Sequence, residues 1–99
     1  MSEKEAKEVF WGTGRRKTSV ARVRLNKNEK SEGKIIINDI EMETYFPIIV
    51  HKQMVLSPLQ VTNMLGKFDI FANVQGGGIT GQAGAVLLGI ARCLCKAFP

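Results

Sequence analysis

Three adjacent cations, Arg15, Arg16 and Lys17, follow Gly12-Thr13-Gly14 near the start of this 99-residue chain. They cannot all be buried, and they repel one another unless something negative neutralises them. Phosphate does this well, because the flat guanidinium offers it paired donors. Arg22 and Arg24 stand two apart, so on an extended segment they share a face at roughly 7 Å, close to the spacing of successive phosphates. A second stretch with chemical potential is Gly76-Gly77-Gly78, which leads into Ile79-Thr80-Gly81-Gln82 and an apolar-periodic run. Glycines reach backbone angles closed to other residues and let a partner approach the main chain closely. The unpaired amides of a helix's first turn can then hold an anion. Each feature has a plainer reading: a solvated basic face for the arginines, a tight chain reversal for the glycines, and for Gln82 a cap on its own helix.

Other reactive residue types do not assemble. His51 is the only histidine and has no evident partner, so it is expected at the surface or half-buried. Cys93 and Cys95 lie two apart in a helical stretch, roughly 200° around it, and should neither bridge nor hold zinc. With no other cysteine in the chain, a reducing compartment is the natural setting. The glycine run is no Walker motif, since no Lys-Ser or Lys-Thr follows, and it lacks the dinucleotide fingerprint. Asp69 is the one carboxylate near it. Nucleophile, base and electrophilic group do not come together, which counts against an enzyme, and no cofactor is implied.

Fourteen Lys and Arg against nine Asp and Glu give a net charge of +5. The acids cluster at Glu3 to Glu8 and Glu29 to Glu43, away from the arginines, so a basic face and an acidic back are expected. With 44% hydrophobic residues the composition is globular, and the length fits one domain. No stretch approaches the ~20 apolar residues that span a bilayer. The acidic start lacks the apolar core of a secretory signal. A cytoplasmic protein without a membrane partner is the expectation.

The elements that must position these groups can be read from periodicity. Residues 1–8 read as a flexible lead-in and 9–99 as a single domain. Val9-Phe10-Trp11 begins an extended segment to residue 17. From Thr18 the alternation is clean, with Ser19, Ala21, Val23 and Leu25 on one face and Val20, Arg22 and Arg24 on the other. Residues 26–33 read as an exposed hairpin loop, and 34–38 as a third strand. Residues 41–46 suit a short helix or turn, while 48–56 fit helix or strand. Ser57-Pro58 reads as N-cap and first position of a helix closed by Gly66, with Leu59, Thr62 and Leu65 buried. Phe68, Ile70, Ala72 and Val74 form the inner side of the next strand, and the outer Phe71 should not be fully exposed. The last helix, capped by Thr80, should bury Ala83, Val86, Leu87, Ile90, Leu94, Ala97 and Phe98, with Ala85, Arg92 and Lys96 opposite. The order β-β-β-α-β-α predicts a two-layer α/β (α+β) sandwich with helices on one side of a sheet.

The run from Gly12 to Val23, then Pro58-Leu59, Phe68-Asp69, Gly76-Gly77-Gly78, Gly81-Gln82-Ala83-Gly84-Ala85 and Gly89-Ile90-Ala91-Arg92, closely resembles the bacterial-type small-subunit ribosomal protein nine family. The resemblance covers almost everything beyond residue 8. It implies a non-enzymatic structural role in the head of the small ribosomal subunit, with ribosomal RNA and neighbouring ribosomal proteins as partners. It also implies a fold similar to the second domain of ribosomal protein five, with a left-handed crossover. A long basic C-terminal tail of the family reaches transfer RNA in the peptidyl site. This sequence stops at Pro99, so that contact is expected only if such a tail is restored. Where the family usually carries Arg and His, Leu87 and Leu88 stand, the first near the centre of the apolar stripe and the second at or beyond its edge.

On this resemblance the RNA-binding residues are expected to be Arg15, Arg16, Lys17, Arg22, Arg24, Gly76, Gly77, Gly78, Gln82 and Arg92. The competing expectation is a small phosphate- or nucleotide-binding kinase-like domain, with Asp69 as its magnesium carboxylate. Trp11 and Phe10 could stack on bases or simply pack at a strand edge.

Overall fold

A computed structural model describes residues 8–27 and 33–98. The expected lead-in, and most of the loop after Asn26, therefore lie outside the described residues. Strand β1 (Glu8–Arg16) turns back through Lys17-Thr18 into β2 (Ser19–Lys27), with Arg16 opposite Ser19. Lys17 takes a positive φ of 57°, the left-handed conformation that a two-residue hairpin demands. After β3 (Ile35–Ile37) come a two-residue β4 (Ile40–Glu41) and a one-turn α1 (Met42–Tyr45). Helix α2 (Ile49–Val61), strand β5 (Asp69–Gln75) and helix α3 (Ile79–Ala97) complete the order. One five-stranded sheet runs β1-β2-β5-β3-β4, antiparallel except for the parallel β3–β5 pair.

The alternation seen in the sequence is the alternation of the sheet. Ala21, Val23 and Leu25 of β2 and Ile70, Ala72 and Val74 of β5 all point into the core, as does Phe68 just before β5. Val55 and Leu59 of α2 and Val86, Ile90 and Leu94 of α3 cover that face. Among the described residues no helix lies on the opposite face, which carries Arg22, Arg24 and Phe71.

Several expectations about the helices need correction. The middle helix does not begin at Ser57-Pro58. It starts at Ile49, and Pro58 lies inside it, giving up the bond its amide would make to the Met54 carbonyl. Burial of His51, Val55 and Leu59, four apart along one face, outweighs that loss. Nor does Gly66 close it. Asn63 does, at φ 63°, with its amide on the Gln60 carbonyl at 3.1 Å and the Met64 amide on the Leu59 carbonyl at 2.8 Å. This is a Schellman end with asparagine in the left-handed position. Thr62 and Leu65 are consequently exposed.

Helix α3 begins two residues earlier than Thr80 would set it, with Gly78 at the N-cap. Its buried arc is also turned by roughly 70° from the predicted stripe. Ala85, Gly89 and Cys93 are buried, whereas Leu87 is half-buried and Phe98 is 47% exposed. The cause lies in β1. A Cβ on Gly12 would stand 2.7 Å from the Gly89 carbonyl, and one on Gly14 would collide with the Ala85 carbonyl and the Gly89 amide. The missing side chains let α3 lie directly on the hairpin, and hydropathy gives glycine no weight.

Candidate nucleic-acid interface

The hairpin turn and the glycine run, far apart in sequence, meet at one end of the molecule. Ser19 is fully buried, and its hydroxyl donates to the Gly76 carbonyl at 2.8 Å. Gly76 and Gly77 have φ of 84° and 67° and press so closely on Thr18 and Ser19 that neither has room for a Cβ. Their glycine character is therefore required by the turn itself. Gly78 differs: its φ is −87°, and a Cβ there would meet nothing within 4 Å.

A polar relay holds the loop from behind. The Gln82 amide donates to the Gly76 carbonyl at 3.2 Å and accepts from the Tyr45 hydroxyl at 2.8 Å. Tyr45 in turn accepts from the Asn38 side chain at 3.2 Å, and Asn38 exchanges two bonds with the backbone of Val74. Both functional ends of Gln82 are thus engaged within the protein, in a tertiary brace that its position in the sequence does not reveal.

Beyond this brace stand the cations. Arg15, Arg16 and Lys17 are exposed. The stem of Arg16 lies over Gly84 in the second turn of α3, where a Cβ would meet its methylenes at 3.4 Å. No side chain caps that helix, which leaves the amides of residues 79–81 without intrahelical acceptors. Arg22 and Arg24 belong to a different surface, the open face of the sheet. Arg92 is separate again: it is exposed, near Gly12, and roughly 20 Å along the α3 axis from Ile79. The predicted residues therefore form one compact group and two outlying ones.

A kinase-like reading does not survive this geometry. Asp69 sits at the start of β5 and the glycine loop at its end, roughly 23 Å away at strand rise. Asp69 is moreover occupied, accepting from the amides of Gly33 and Lys34 at 3.1 Å each. Among the described residues no group of His, Cys, Asp or Glu is placed to hold a metal ion. The family description of ribosomal protein S9/S16 matches residues 14–99, from the hairpin to the end of the chain. The chain belongs to that family. Ribosomal protein S9/S16 members are non-catalytic, RNA-binding constituents of the ribosome, and that is the role of this chain.

His51 and the cysteines play internal parts in this S9/S16 fold. His51 is buried, with Nε2 at 2.9 Å from the Thr80 hydroxyl, and joins α2 to the first turn of α3. Cys93 is buried with Sγ at 3.4 Å from the carbonyls of Phe10 and Val23, and burial pushes its thiol pKa up to about 11 despite the nearby Lys96 charge. Cys95 is free and exposed. What the sequence reading missed lies on the sheet's open face. Trp11 is 56% exposed, and Arg24 is stacked between it and Phe71. The signal was the large aromatic at position 71 on an otherwise polar side.

Proposed function

We propose that the end formed by Arg15-Arg16-Lys17 and the Gly76–Gly78 loop is the principal contact with small-subunit ribosomal RNA, in the head of the subunit. The observation that carries this reading is the Ser19–Gly76 bond, which fixes three exposed cations beside a glycine turn and an uncapped helix start. Phosphates lie on the cations and along the exposed main chain at Gly78, where space is open. Gln82 acts by holding the loop. Arg22, Arg24 and Arg92 extend the contact to the sheet face and the flank of α3. Neighbouring ribosomal proteins and a cytoplasmic, ribosome-bound location follow from the same reading. The family resemblance further implies a single RNA-binding domain beyond residue 8, similar to the second domain of ribosomal protein five, with a left-handed crossover against the usual rule. Contact with peptidyl-site transfer RNA is, on the family resemblance, the work of a basic tail that follows this region.

The test is the triple variant Arg15→Ala, Arg16→Ala, Lys17→Ala. Exposed charges contribute little to folding, so its melting should change little. If all three cations neutralise phosphates, the slope of log affinity for ribosomal RNA against log salt should fall by roughly 2 to 3, at ~0.7–0.9 per phosphate. An unchanged slope removes the hairpin turn from the interface.

A further inference from the structure

The open face of the sheet carries an arrangement that neither the fold nor the basic end requires. Strand register places Trp11 opposite Arg24, Arg24 opposite Phe71, and Phe71 opposite Ile36, in one line across β1, β2, β5 and β3. The Arg24 guanidinium lies 4.5 Å from the Phe71 ring centroid and 5.9 Å from that of Trp11. Its Nε is buried and has no hydrogen-bond partner among the described residues. In the next row Arg22 stands opposite Asn73. Between these side chains is a shallow depression of about 170 Å³. It is smaller than the ~300–1,000 Å³ clefts that enclose small molecules, so an occupant would lie on it rather than inside it.

We propose that this face is a stacking site for an unpaired nucleobase, with Trp11, Arg24 and Phe71 as the platform and Arg22 placed for the adjoining phosphate. The proposal rests on the RNA-binding role and names a second, chemically distinct contact within it. Aromatic faces and guanidinium planes are the surfaces on which splayed-out bases stack. Leaving a tryptophan 56% exposed on a flat sheet costs hydrophobic free energy that a stacked base recovers. Charge selects a nucleotide over an apolar protein surface: Arg22 and Arg24 adjoin the depression and Asp39 alone opposes them there.

The chain contains one tryptophan, so its emission reports directly on the platform. The probes are hexa-adenylate and a base-free ribose-phosphate hexamer of equal charge, each titrated into the full chain at fixed salt. Hexa-adenylate should quench Trp11 emission and bind roughly 5- to 150-fold more tightly than the base-free hexamer. Phe71→Ala should remove most of that preference and leave binding of the base-free hexamer unchanged. Phe71→Leu, which keeps apolar bulk, should do the same if the alanine variant does not fold. Equal affinities without quenching, while ribosomal RNA still binds, would overturn the platform and leave the RNA-binding role standing. Failure of the unaltered chain to bind ribosomal RNA would overturn both. A benzophenone photo-crosslinker at position 71 in assembled subunits should yield an RNA adduct; a peptide adduct would identify a protein occupant and overturn the stacking site.

Discussion

Replacing the three glycines of the loop one at a time separates what the turn needs from what a partner needs. Gly76→Ala places a Cβ at φ 84° against the Thr18 carbonyl. The left-handed backbone costs roughly 1–2 kcal/mol for a residue with a Cβ. The overlap adds roughly 1–3 kcal/mol, because the obstacle is main chain and cannot rotate away. In a chain of this size about 1 kcal/mol lowers Tm by roughly 4–8 °C, so Gly76→Ala should melt at least about 8 °C lower. Gly77→Ala, at φ 67° against the side-chain oxygens of Thr18 and Ser19, should also melt lower but by less, because those oxygens can turn away. Gly78→Ala should not, since alanine at φ −87° is unstrained and meets nothing. There, roughly 0.4–1 kcal/mol gained from a stiffer unfolded chain offsets a similar loss from a poorer N-cap. Its melting should stay within about 4 °C of the parent. Circular dichroism melts of the three variants decide the folding part. Binding to ribosomal RNA decides the rest: if phosphate approaches the main chain at Gly78, the well-folded Gly78→Ala should bind at least roughly 5-fold more weakly. Equal melting of all three would refute the packing argument. Undiminished affinity of Gly78→Ala would refute close RNA approach.

Other consequences are open to direct measurement. Because the Cys93 thiol ionises at about 11 in the fold against an ordinary 9.0, the folded state binds the extra proton between those values. Stability should therefore fall as pH rises from about 9 to 11, by roughly 2–3 kcal/mol. In urea titrations across that range, Cys93→Ala should lack this component of the decline. Native protein should react rapidly with a thiol reagent at one site, Cys95, and at two sites only after denaturation. Gly14→Ala should destabilise by about 3 kcal/mol in denaturant titration and unmask Cys93, since its Cβ would push α3 off the hairpin. Gln82→Ala, which leaves the Tyr45 hydroxyl and Gly76 carbonyl short of partners, should cost about 1–2 kcal/mol in the same measurement.

Much of the sheet was legible because strand faces alternate with period two. Ala21-Val23-Leu25 and Ile70-Ala72-Val74 face the core as their spacing predicts. The chain order was legible for the same reason, apart from the two-residue β4, which carries no pattern. Helix boundaries were not. Ser57-Pro58 is a sound local start signal, but burial of Val55 and Leu59 belongs to a different register and prevails. The rotation of α3 was hidden because it is caused by atoms that are absent at Gly12, Gly14 and Gly89. In the proposed interface, Arg15, Arg16 and Lys17 could be named from charge alone. Their placement beside the glycine loop could not, because it depends on the pairing of Val20 with Gln75 and on the buried Ser19 hydroxyl. The Trp11–Arg24–Phe71 line needed strand register, which pairs residues from three segments.

The Ser19–Gly76 bond spans 57 residues and the Cys93–Phe10 contact spans 83. While the chain is being synthesised, its basic hairpin emerges early, and a lone hairpin is barely stable in water. The strand, glycine turn and helix that pack against it follow only after a long intervening stretch of chain. Such distant closures put the fold among slowly forming topologies. Until β5 and α3 are made, the basic hairpin thus lacks the glycine turn that packs against it. If RNA binds at the proposed basic end, its selective recognition begins only when α3 docks on the hairpin, so folding itself sets the moment at which that end becomes competent to bind.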